Sequence, residues 1–586
     1  MAGHRSAARR PVVVALLVVV FLALGFGIWF SISARSALNE LTAARDSLEA
    51  ARDAVADSQP DEAKAFMAAA TSSAQSASAR VNGPLWDVVA AVPGLGDTPQ
   101  AAQAVATSLD QTLTALQPVV EQLNVLDPSS LISDDGQIDV SAIEQAVPAL
   151  KQAQPGIEQA NETMSTAPTG GWVLPQVSAA TDELSEQLGT LQSSLSTAVT
   201  FGEIAGPLLG TDGEKRYFVG ILNPNEARGT GGFLGNYAIL SAKDGKITVD
   251  QVGSNTDLPN LTELPASLGK EFRYRYRDDP TLIGNMNLSP HFPDTSRIWL
   301  ASWKQKTGEQ LDGAIAADVV ALGQLVQASG QQIPLPDGGS LSGDQVADFA
   351  IKGIYEKFPT AAQAAERKLY QEAVTTAAVK AVTSAPQPQA MAEALGQGLS
   401  EHHVVVWSAD PKVEERLLTA GVGGSLQVAD GHKVQFVALN GSGSKLDAYL
   451  ERSVTYEVGR CPSSDGRVSS TVTAELVNAI PLGERPPEYM LSGIGPSGTT
   501  NVILAQFHLP NGSEVEKVTV NGKEVSWFPF TENGRPSAMV AVDLPPRVPV
   551  SVEVSFAEAE ADGPGSITLQ PLANEQQTVT EEASCT

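Results

Sequence analysis

The residues best suited to chemistry lie in a glycine-rich stretch that follows the apolar residues 217–222. The stretch reads Asn223-Pro-Asn225-Glu226-Ala-Arg228-Gly-Thr-Gly231-Gly232-Phe-Leu-Gly235. Consecutive amides in a glycine-rich turn can point inward and bind an anion, and a neighbouring arginine supplies a planar charged fork. The same residue types also suit a structural turn in which Glu226 pairs with Arg228 or with a neighbour. The segment therefore predicts an anion site or an internal ion pair, and both interpretations stay open.

Several familiar catalytic and cofactor motifs are missing from the chain. A G-x-G-x-x-G dinucleotide loop must open a helix, whereas residues 233–240 form a β-type apolar run. The sequence has no P-loop, the six histidines lack zinc-motif spacing, and no serine or cysteine nucleophile motif has a suitable context. We therefore predict no metal site and assign neither catalytic residues nor a cofactor.

A second candidate ligand site is the densest basic stretch of the chain. It contains Lys270, Arg273, Arg275 and Arg277, interleaved with Tyr274 and Tyr276. In an extended segment, alternation by two places the arginines on one face and the tyrosines on the other. Guanidinium groups suit phosphate or carboxylate contacts. The alternative is an exposed loop whose arginines pair with nearby acids such as Asp278 and Asp279.

The composition excludes several classes of protein. The 586 residues carry 38 basic and 67 acidic side chains, a net charge of -29. A chain this acidic is not expected to bind nucleic acid, since that binding needs clustered Lys and Arg. Two cysteines are too few for a disulfide-dense scaffold, a cysteine-rich zinc fold or an iron–sulfur cluster.

The N-terminal segment predicts a membrane anchor. Residues 12–30 are apolar and follow Arg5, Arg9 and Arg10. About 20 apolar residues span a bilayer core, and upstream basic residues favour a cytoplasmic N-terminus. We therefore expect a cytoplasmic tail over 1–11, a transmembrane helix over 12–30 and an extracytoplasmic remainder in a single-pass protein of the cell membrane. The alternative is a signal peptide cleaved near residues 31–34.

The rest of the chain predicts a multidomain α, α/β and β fold. Residues 36–205 repeat leucines at intervals of three, four and seven, which indicates a helical bundle, stalk or coiled coil. That block is interpreted as a spacer, with a ligand-sensing bundle as the alternative. Strands alternate with helices over 214–440, and short strands separated by turns over 445–586 indicate an immunoglobulin-like sandwich.

The two cysteines, Cys461 and Cys585, both fall in the predicted sandwich. An exported domain permits a disulfide, and a bond here would hold a C-terminus that would otherwise fray. We therefore predict a Cys461–Cys585 disulfide, against the alternative of two unrelated thiols.

Four strings of the sequence resemble a known family. They are NPNEARGTGGFLGNYAIL, DGKI, LDGAIAADVVAL and SADPKVEERLLTAGVGG. They resemble domain of unknown function 4012, found in membrane-anchored proteins of Gram-positive bacteria, especially actinobacteria. We expect the resemblance to extend over residues 60–460. The family label implies no activity.

The α/β region also resembles, more distantly, the LytR–CpsA–Psr phosphotransferases, which attach lipid-linked glycopolymers to peptidoglycan. This resemblance places Arg228 at their loop arginine, Asp318 at the start of a helix and Arg367 in their downstream arginine helix. The chain departs from their pattern because Gly231 stands in the acidic place of the loop, and Arg367-Lys368 replaces a longer arginine run.

Two functions follow as expectations. The first is an envelope protein that binds or handles a cell-wall polysaccharide or its polyprenyl-pyrophosphate precursor. The second is a non-catalytic adhesion or scaffold protein of the envelope. A basic pocket above the α/β sheet would favour the first function, and a filled sheet end would favour the second.

Overall fold

The computed structural model describes most of the chain after residue 32. The described residues are 33–55, 59–92, 94, 96–122, 131–133, 136–169, 173–385, 387–426, 431–464, 466–491, 498–561, 563–574 and 576–582. The chain divides into two compact units, one of 1–133 with 139–205 and one of 134–138 with 206–586.

The first unit confirms the predicted helical region. Its helices are α1 (33–55), α2 (Pro60–Val81), α3 (Pro84–Ala90), α4 (Asp97–Glu121), α5 (Val140–Ser165) and α6 (Pro175–Leu209), the last ending in the second unit. The helices pack through small alanine-rich clusters, one of which joins Ala44, Ala70, Ala74 and Leu113. Among the described helices, none is long and apolar enough to cross a membrane. The predicted transmembrane helix at 12–30 lies outside the described residues.

The second unit begins with an α/β region. Its elements are β1 (Lys215–Arg228), β2 (Gly231–Lys243), β3 (Lys246–Ser254), α7 (Lys270–Tyr276), α8 (Phe292–Thr307), β4 (Gly313–Asp318), α9 (Val319–Ser329), β5 (Ile333–Pro334), β6 (Ser340–Leu341), α10 (Gly343–Asp348), α11 (Ile354–Lys357), α12 (Ala364–Thr383), α13 (Pro388–Ser400), β7 (Val404–Ser408) and α14 (Pro411–Thr419). Five strands form one sheet in the order β3-β2-β1-β4-β7. Only β1 and β4 are parallel, and the remaining neighbours are antiparallel.

Strand β1 is buried because hydrophobic clusters cover both faces of the sheet. Phe218 and Leu222 point into a cluster that includes Trp299 of α8, whereas Val219 and Ile221 point into a cluster on the other face. This alternation follows from the two-residue period of a strand. It also explains why the sequence shows a continuous apolar run here.

The remaining strands form a two-layered β-sandwich. They are β8 (Lys433–Asn440), β9 (Leu450–Val458), β10 (Arg467–Asn478), β11 (Asn501–His508), β12 (Glu514–Val520), β13 (Lys523–Glu524), β14 (Phe528–Glu532), β15 (Arg535–Leu544), β16 (Val550–Ala559), β17 (Ser566–Leu569) and β18 (Gln576–Glu582). The sheet orders are β13-β12-β16-β10-β9-β18 and β14-β15-β11-β8-β17, and one hydrophobic cluster contains side chains from both sheets. The sandwich includes β8 and therefore starts before the predicted residue 445.

Candidate functional site

The glycine-rich motif, predicted as a turn at the end of a buried strand, forms the tip of a β-hairpin in which the strands extend further than predicted. Strand β1 pairs with β4 only as far as Leu222, opposite Asp318. Beyond that point β1 pairs with β2 alone, and Arg228 and Ala227 lie opposite Gly231 and Gly232. The two glycines therefore belong to a strand ladder, and only Gly229 and Thr230 separate the strands.

Close packing explains two of the glycines. A Cβ on Gly232 would lie 2.3 Å from the carbonyl carbon of Asn223, and a Cβ on Gly229 would lie 2.3 Å from the carbonyl oxygen of Leu288. Both distances are far below van der Waals contact. These positions therefore exclude larger residues whether or not the hairpin binds an anion.

Arg228 lies in a buried group of charges, here called the hairpin cluster, made of Glu226, Arg228, Lys445 and Asp447. A register shift between Asn223 and Ala227 carries Glu226 into this group. The Arg228 guanidinium donates to Glu226 at 2.5 Å, and Lys445 pairs with the other Glu226 oxygen. Asp447 accepts the Ala227 N–H at 2.7 Å. The geometry corresponds to the alternative interpretation, an internal ion pair.

Burial dominates the electrostatics of the hairpin cluster. It lowers the pKa of Arg228 to about 10 and that of Lys445 to about 8, in both cases against the opposing charge of Asp447. Burial also raises the pKa of Asp447, although hydrogen bonds from Ala227, Asn501 and Asn440 oppose that shift. Both cations pair with the buried carboxylate of Glu226, so the Arg228 guanidinium is already bound within the protein.

Asn225 and Arg367 contact a different set of groups. Asn225 donates to the Ile351 carbonyl at 3.2 Å and also hydrogen-bonds the Tyr355 side chain. The Arg367 guanidinium lies 3.5 Å from the centre of the Tyr489 ring and 5.3 Å from that of Tyr355. Within the described contacts, Arg228 and Arg367 share no partner. The structure therefore does not assemble the predicted set of Asn225, Arg228 and Arg367 around one anion.

The basic stretch over 270–277 is helical, which corrects the prediction of an extended segment. Arg273 donates to the Pro265 carbonyl at 2.9 Å, and Arg277 ends helix α7 with a φ of 50°. Arg275 lies over the rings of Tyr276 and Phe530, at 4.7 and 5.0 Å from their centres. A helix turns successive side chains by about 100°, so the three arginines do not share one face.

The structure shows a cleft that the sequence did not predict. The cleft has a volume of about 570 Å³ and is lined by residues from the hairpin tip, from the chain on either side of β7 and α14, and from the sandwich. Its polar lining includes Thr230, His402, Ser425, Lys433 and Arg535, and no acidic side chain is among its described lining residues. We call it the cationic cleft. No local motif signals it, because its residues lie as far apart as 230 and 535.

The cationic cleft lies at one end of the α/β sheet. Thr230 follows the end of β1, and His402 precedes β7, whose first residue Val404 pairs with Ala317 near the end of β4. The cleft is therefore near the carboxyl ends of the two parallel strands. Open α/β sheets place ligand sites at this end.

Two polar groups of the cationic cleft are fixed by the surrounding protein. Arg535 is buried and donates to the carbonyls of Leu509, Lys433 and His508. The Ser425 hydroxyl lies 3.2 Å from Nδ1 of His291. Burial lowers the pKa of His291 to about 3, so its ring is neutral at physiological pH. By contrast, Lys433 is exposed and free to approach a ligand.

Asp318 caps a helix and pairs with a histidine beside the cationic cleft. One carboxylate oxygen accepts the N–H groups of Val320 and Ala321 at 2.9 Å and caps helix α9. The other oxygen lies 2.5 Å from Nδ1 of His403. The spacing of Asp318 and His403 along the sequence gave no signal for this pair, because it forms only when β4 and β7 are neighbours.

Comparison with known proteins supports one of the two resemblances. Residues 212–355 match the family described as "Protein of unknown function (DUF4012)", a shorter span than the expected 60–460. No curated protein and no solved structure matches the chain. The matched segment contains the β1–β2 hairpin, including Glu226 and Arg228, and ends before Arg367. The predicted resemblance to this family of unknown function is therefore confirmed for residues 212–355.

Proposed function

We propose that the second unit binds a polyanionic envelope ligand in the cationic cleft. The ligand is a cell-wall glycopolymer or its polyprenyl-pyrophosphate precursor. The observation that carries the proposal is the charge of the lining: Lys433 and Arg535 contribute positive charge, and no acidic side chain is among the described lining residues. The chain as a whole has a net charge of -29, so this composition is unlike that of the rest of the protein.

The overall acidity of the chain is compatible with an anionic ligand. Ionic screening at physiological salt limits exposed charge interactions to about 8 Å. A phosphate inside the cleft is therefore governed by the nearby cations rather than by the distant acidic residues. Lys433 supplies a mobile ammonium group, while the Thr230 and Ser425 hydroxyls supply neutral hydrogen bonds.

The proposal includes the cellular placement expected from the sequence. Residues 12–30 would anchor the chain in the membrane, with the LytR–CpsA–Psr-like α/β region and the immunoglobulin-like sandwich outside. Protease added to intact protoplasts should then remove both units and leave a short anchored fragment. Protection of the whole chain would contradict this placement.

The envelope scaffold remains the second candidate function. It is favoured by the hairpin cluster, in which Glu226 already pairs with Arg228, the arginine that was predicted to bind the anion. A scaffold needs no ligand in the cationic cleft. Measurements of anion binding therefore separate the two functions.

The test is the substitution Lys433→Glu, because Lys433 is exposed and its side chain can change without loss of a buried contact. We expect pyrophosphate and poly(glycerol phosphate) to bind the wild-type protein and the variant to bind about tenfold more weakly or worse, as for loss of one charge-assisted hydrogen bond. Isothermal titration calorimetry measures both affinities. Uncharged dextran should not compete.

The matched control is Lys517→Glu, which makes the same charge change at an exposed strand position of the sandwich away from the cleft lining. It should leave pyrophosphate affinity nearly unchanged. Absence of binding to the wild-type protein, or equal losses in the two variants, would reject the cleft as an anion site and favour the scaffold.

A further inference from the structure

The short helix α3 of the first unit has an exposed apolar face. Leu85, Val88 and Val92 are 44%, 60% and 39% exposed, and the N–H of Val92, just past the helix, still donates to the Val89 carbonyl. Positions i, i+3 and i+7 lie on one side of a helix, so these three side chains form one surface. We call it the α3 patch.

The opposite face of α3 packs against the beginning of helix α1. Trp86 is buried in a cluster that includes Ala37, with Ala34 packed against it. The Trp86 indole Nε1 donates to the Ser33 hydroxyl at 3.0 Å. Helix α3 is therefore in direct contact with the first residue that the structure describes.

The sequence limits how far α3 can lie from the predicted membrane segment. That segment ends at Phe30, three peptide steps before Ser33, and three steps span at most about 11 Å in any backbone conformation. Trp29 is of the type enriched at membrane–water interfaces. The polar interface adds about 5–8 Å on each side of the hydrocarbon core. A chain anchored through residues 12–30 therefore holds α3 within reach of the interface.

Another exposed apolar side chain lies at the same end of the helical bundle. Leu174 is 57% exposed, and its N–H donates to the Thr98 hydroxyl at 3.0 Å. Thr98 belongs to the first turn of α4, whose next turns bring Ala102 and Ala106 to the cluster around Trp86. The beginnings of α1 and α4, together with α3, therefore form an end of the bundle that carries several exposed apolar groups.

We propose that the α3 patch rests in the interface of the lipid bilayer that anchors the chain. This inference rests on the membrane placement of residues 12–30 given under Proposed function, and it adds the orientation of the first unit on the bilayer. A seven-residue helix cannot cross a membrane, but an apolar helix face can lie in the interface with its side chains about 5–10 Å deep. The charge of α3, Asp87, accepts from Gln103 of α4 and is not part of the patch.

Lipid is a better occupant of the α3 patch than a second copy of the chain. The connection through Ser33 keeps the patch beside the bilayer at all times, whereas a second copy must first be encountered. A contact between two copies through these side chains would also be small compared with a stable protein interface.

The experiment measures the depth of the α3 patch in the full-length protein, reconstituted in phosphatidylcholine–phosphatidylglycerol vesicles. Val88→Cys is labelled with the environment-sensitive fluorophore NBD. We expect its emission to shift to shorter wavelength and to be quenched by lipids that carry a spin label near the headgroup. Wild-type protein taken through the same labelling gives the contribution of Cys461 and Cys585.

The matched control is Val55→Cys, an exposed valine at the other end of α1, about 33 Å from Ser33 along the helix axis. NBD at this position should emit as in water and should not be quenched by the spin-labelled lipids. Equal quenching at both positions would contradict a specific contact of the α3 patch with the bilayer.

A second pair of variants tests the apolar character of the patch. With NBD on Val92→Cys, the added substitution Val88→Asp should reduce the quenching, because it puts a charge on the embedded face. Val55→Asp in the same labelled protein should leave the quenching unchanged. Val88 and Val55 are both exposed, so neither change removes a buried contact.

Flotation of the vesicles in a density gradient reports the anchor independently of the fluorescence. Anchored protein without quenching at position 88 would overturn the inference and leave the membrane placement intact. Protein that does not float with the vesicles would overturn both. A blue shift that lipid spin labels do not quench, and that disappears as the protein is diluted in lipid, would assign the patch to a second copy of the chain.

Discussion

The carboxylate of Glu226 is shared by a buried cation, Arg228, and a partly buried one, Lys445. Removing one partner of a buried pair leaves an uncompensated charge and costs about 3–5 kcal/mol. Arg228→Ala should therefore lower the free energy of unfolding by about that amount, measured by urea denaturation. The exposed control Arg485→Ala should change it by less than about 0.5 kcal/mol. Normal stability combined with lost pyrophosphate binding would instead restore the anion-site interpretation of Arg228.

The pair of Asp318 and His403 should make stability depend on pH. Burial alone would lower the pKa of His403, but the hydrogen bond and the charge of Asp318 raise it overall. Because the pKa is raised in the folded state, the stabilisation is complete below the unfolded value of about 6.5 and is lost as the pH rises through the folded value.

The substitution His403→Gln should therefore be more destabilising at about pH 5 than at about pH 9, as measured by urea unfolding at both values. The neighbouring His402 is the control, because burial and then the charge of His403 lower its pKa. Its protonation opposes folding in acid, so His402→Gln should show the opposite trend. Equal effects of His403→Gln at both pH values would contradict the assigned pair.

At the level of secondary structure elements, the β1–β2 hairpin depends on close backbone packing. An added Cβ at Gly232 would lie 2.3 Å from Asn223, whereas at Gly235 in the same strand the nearest neighbour is the Ile221 oxygen at 3.8 Å. Gly232→Ala should destabilise by about 1–3 kcal/mol through overpacking. Gly235→Ala should leave the free energy of unfolding unchanged or raise it slightly, because its Cβ has room. Thermal unfolding of the two variants tests this, and equal melting temperatures would disprove the packing argument.

Elements set by local chemistry were predictable from the sequence. Asp244 and Gly245 adopt positive φ values of 50° and 83°, as the Asp-Gly hairpin signal between β2 and β3 requires. Helix α9 begins at the strand end, where Asp318 caps its first amides. These features depend on residues within a few positions of each other.

Features set by distant contacts were not predictable in the same way. Residues 273–277 alternate Arg and Tyr, as an extended segment would, yet 270–276 form α7 with Arg275 against Phe530 of the sandwich. The cationic cleft likewise combines Thr230, Lys433 and Arg535. Its existence depends on how the sandwich packs on the α/β sheet, and the separate sequence segments contain no signal of that packing.

At the scale of the whole molecule, the C-terminal strand closes one edge of the sandwich. Strand β18 pairs in parallel with β9, and the last pair of the register is Glu582 with Val458. Glu582 also forms an ion pair with Arg460 at 2.7 Å. A chain terminus held in this way is protected from fraying, and a covalent bond just beyond the ladder would make the closure permanent.

The predicted Cys461–Cys585 disulfide would act at this edge of the sandwich. Cys585 lies outside the described residues, so the bond stays a prediction, and Cys461 follows strand β9 by three residues. If the two cysteines are bonded, closing a loop of about 120 residues would contribute about 4–5 kcal/mol. Cys461→Ser, Cys585→Ser and the double variant should then lose the same stability in urea denaturation, because each removes the same bond. Two thiols that react with iodoacetamide in the denatured, unreduced protein, or additive losses in the double variant, would contradict the pairing.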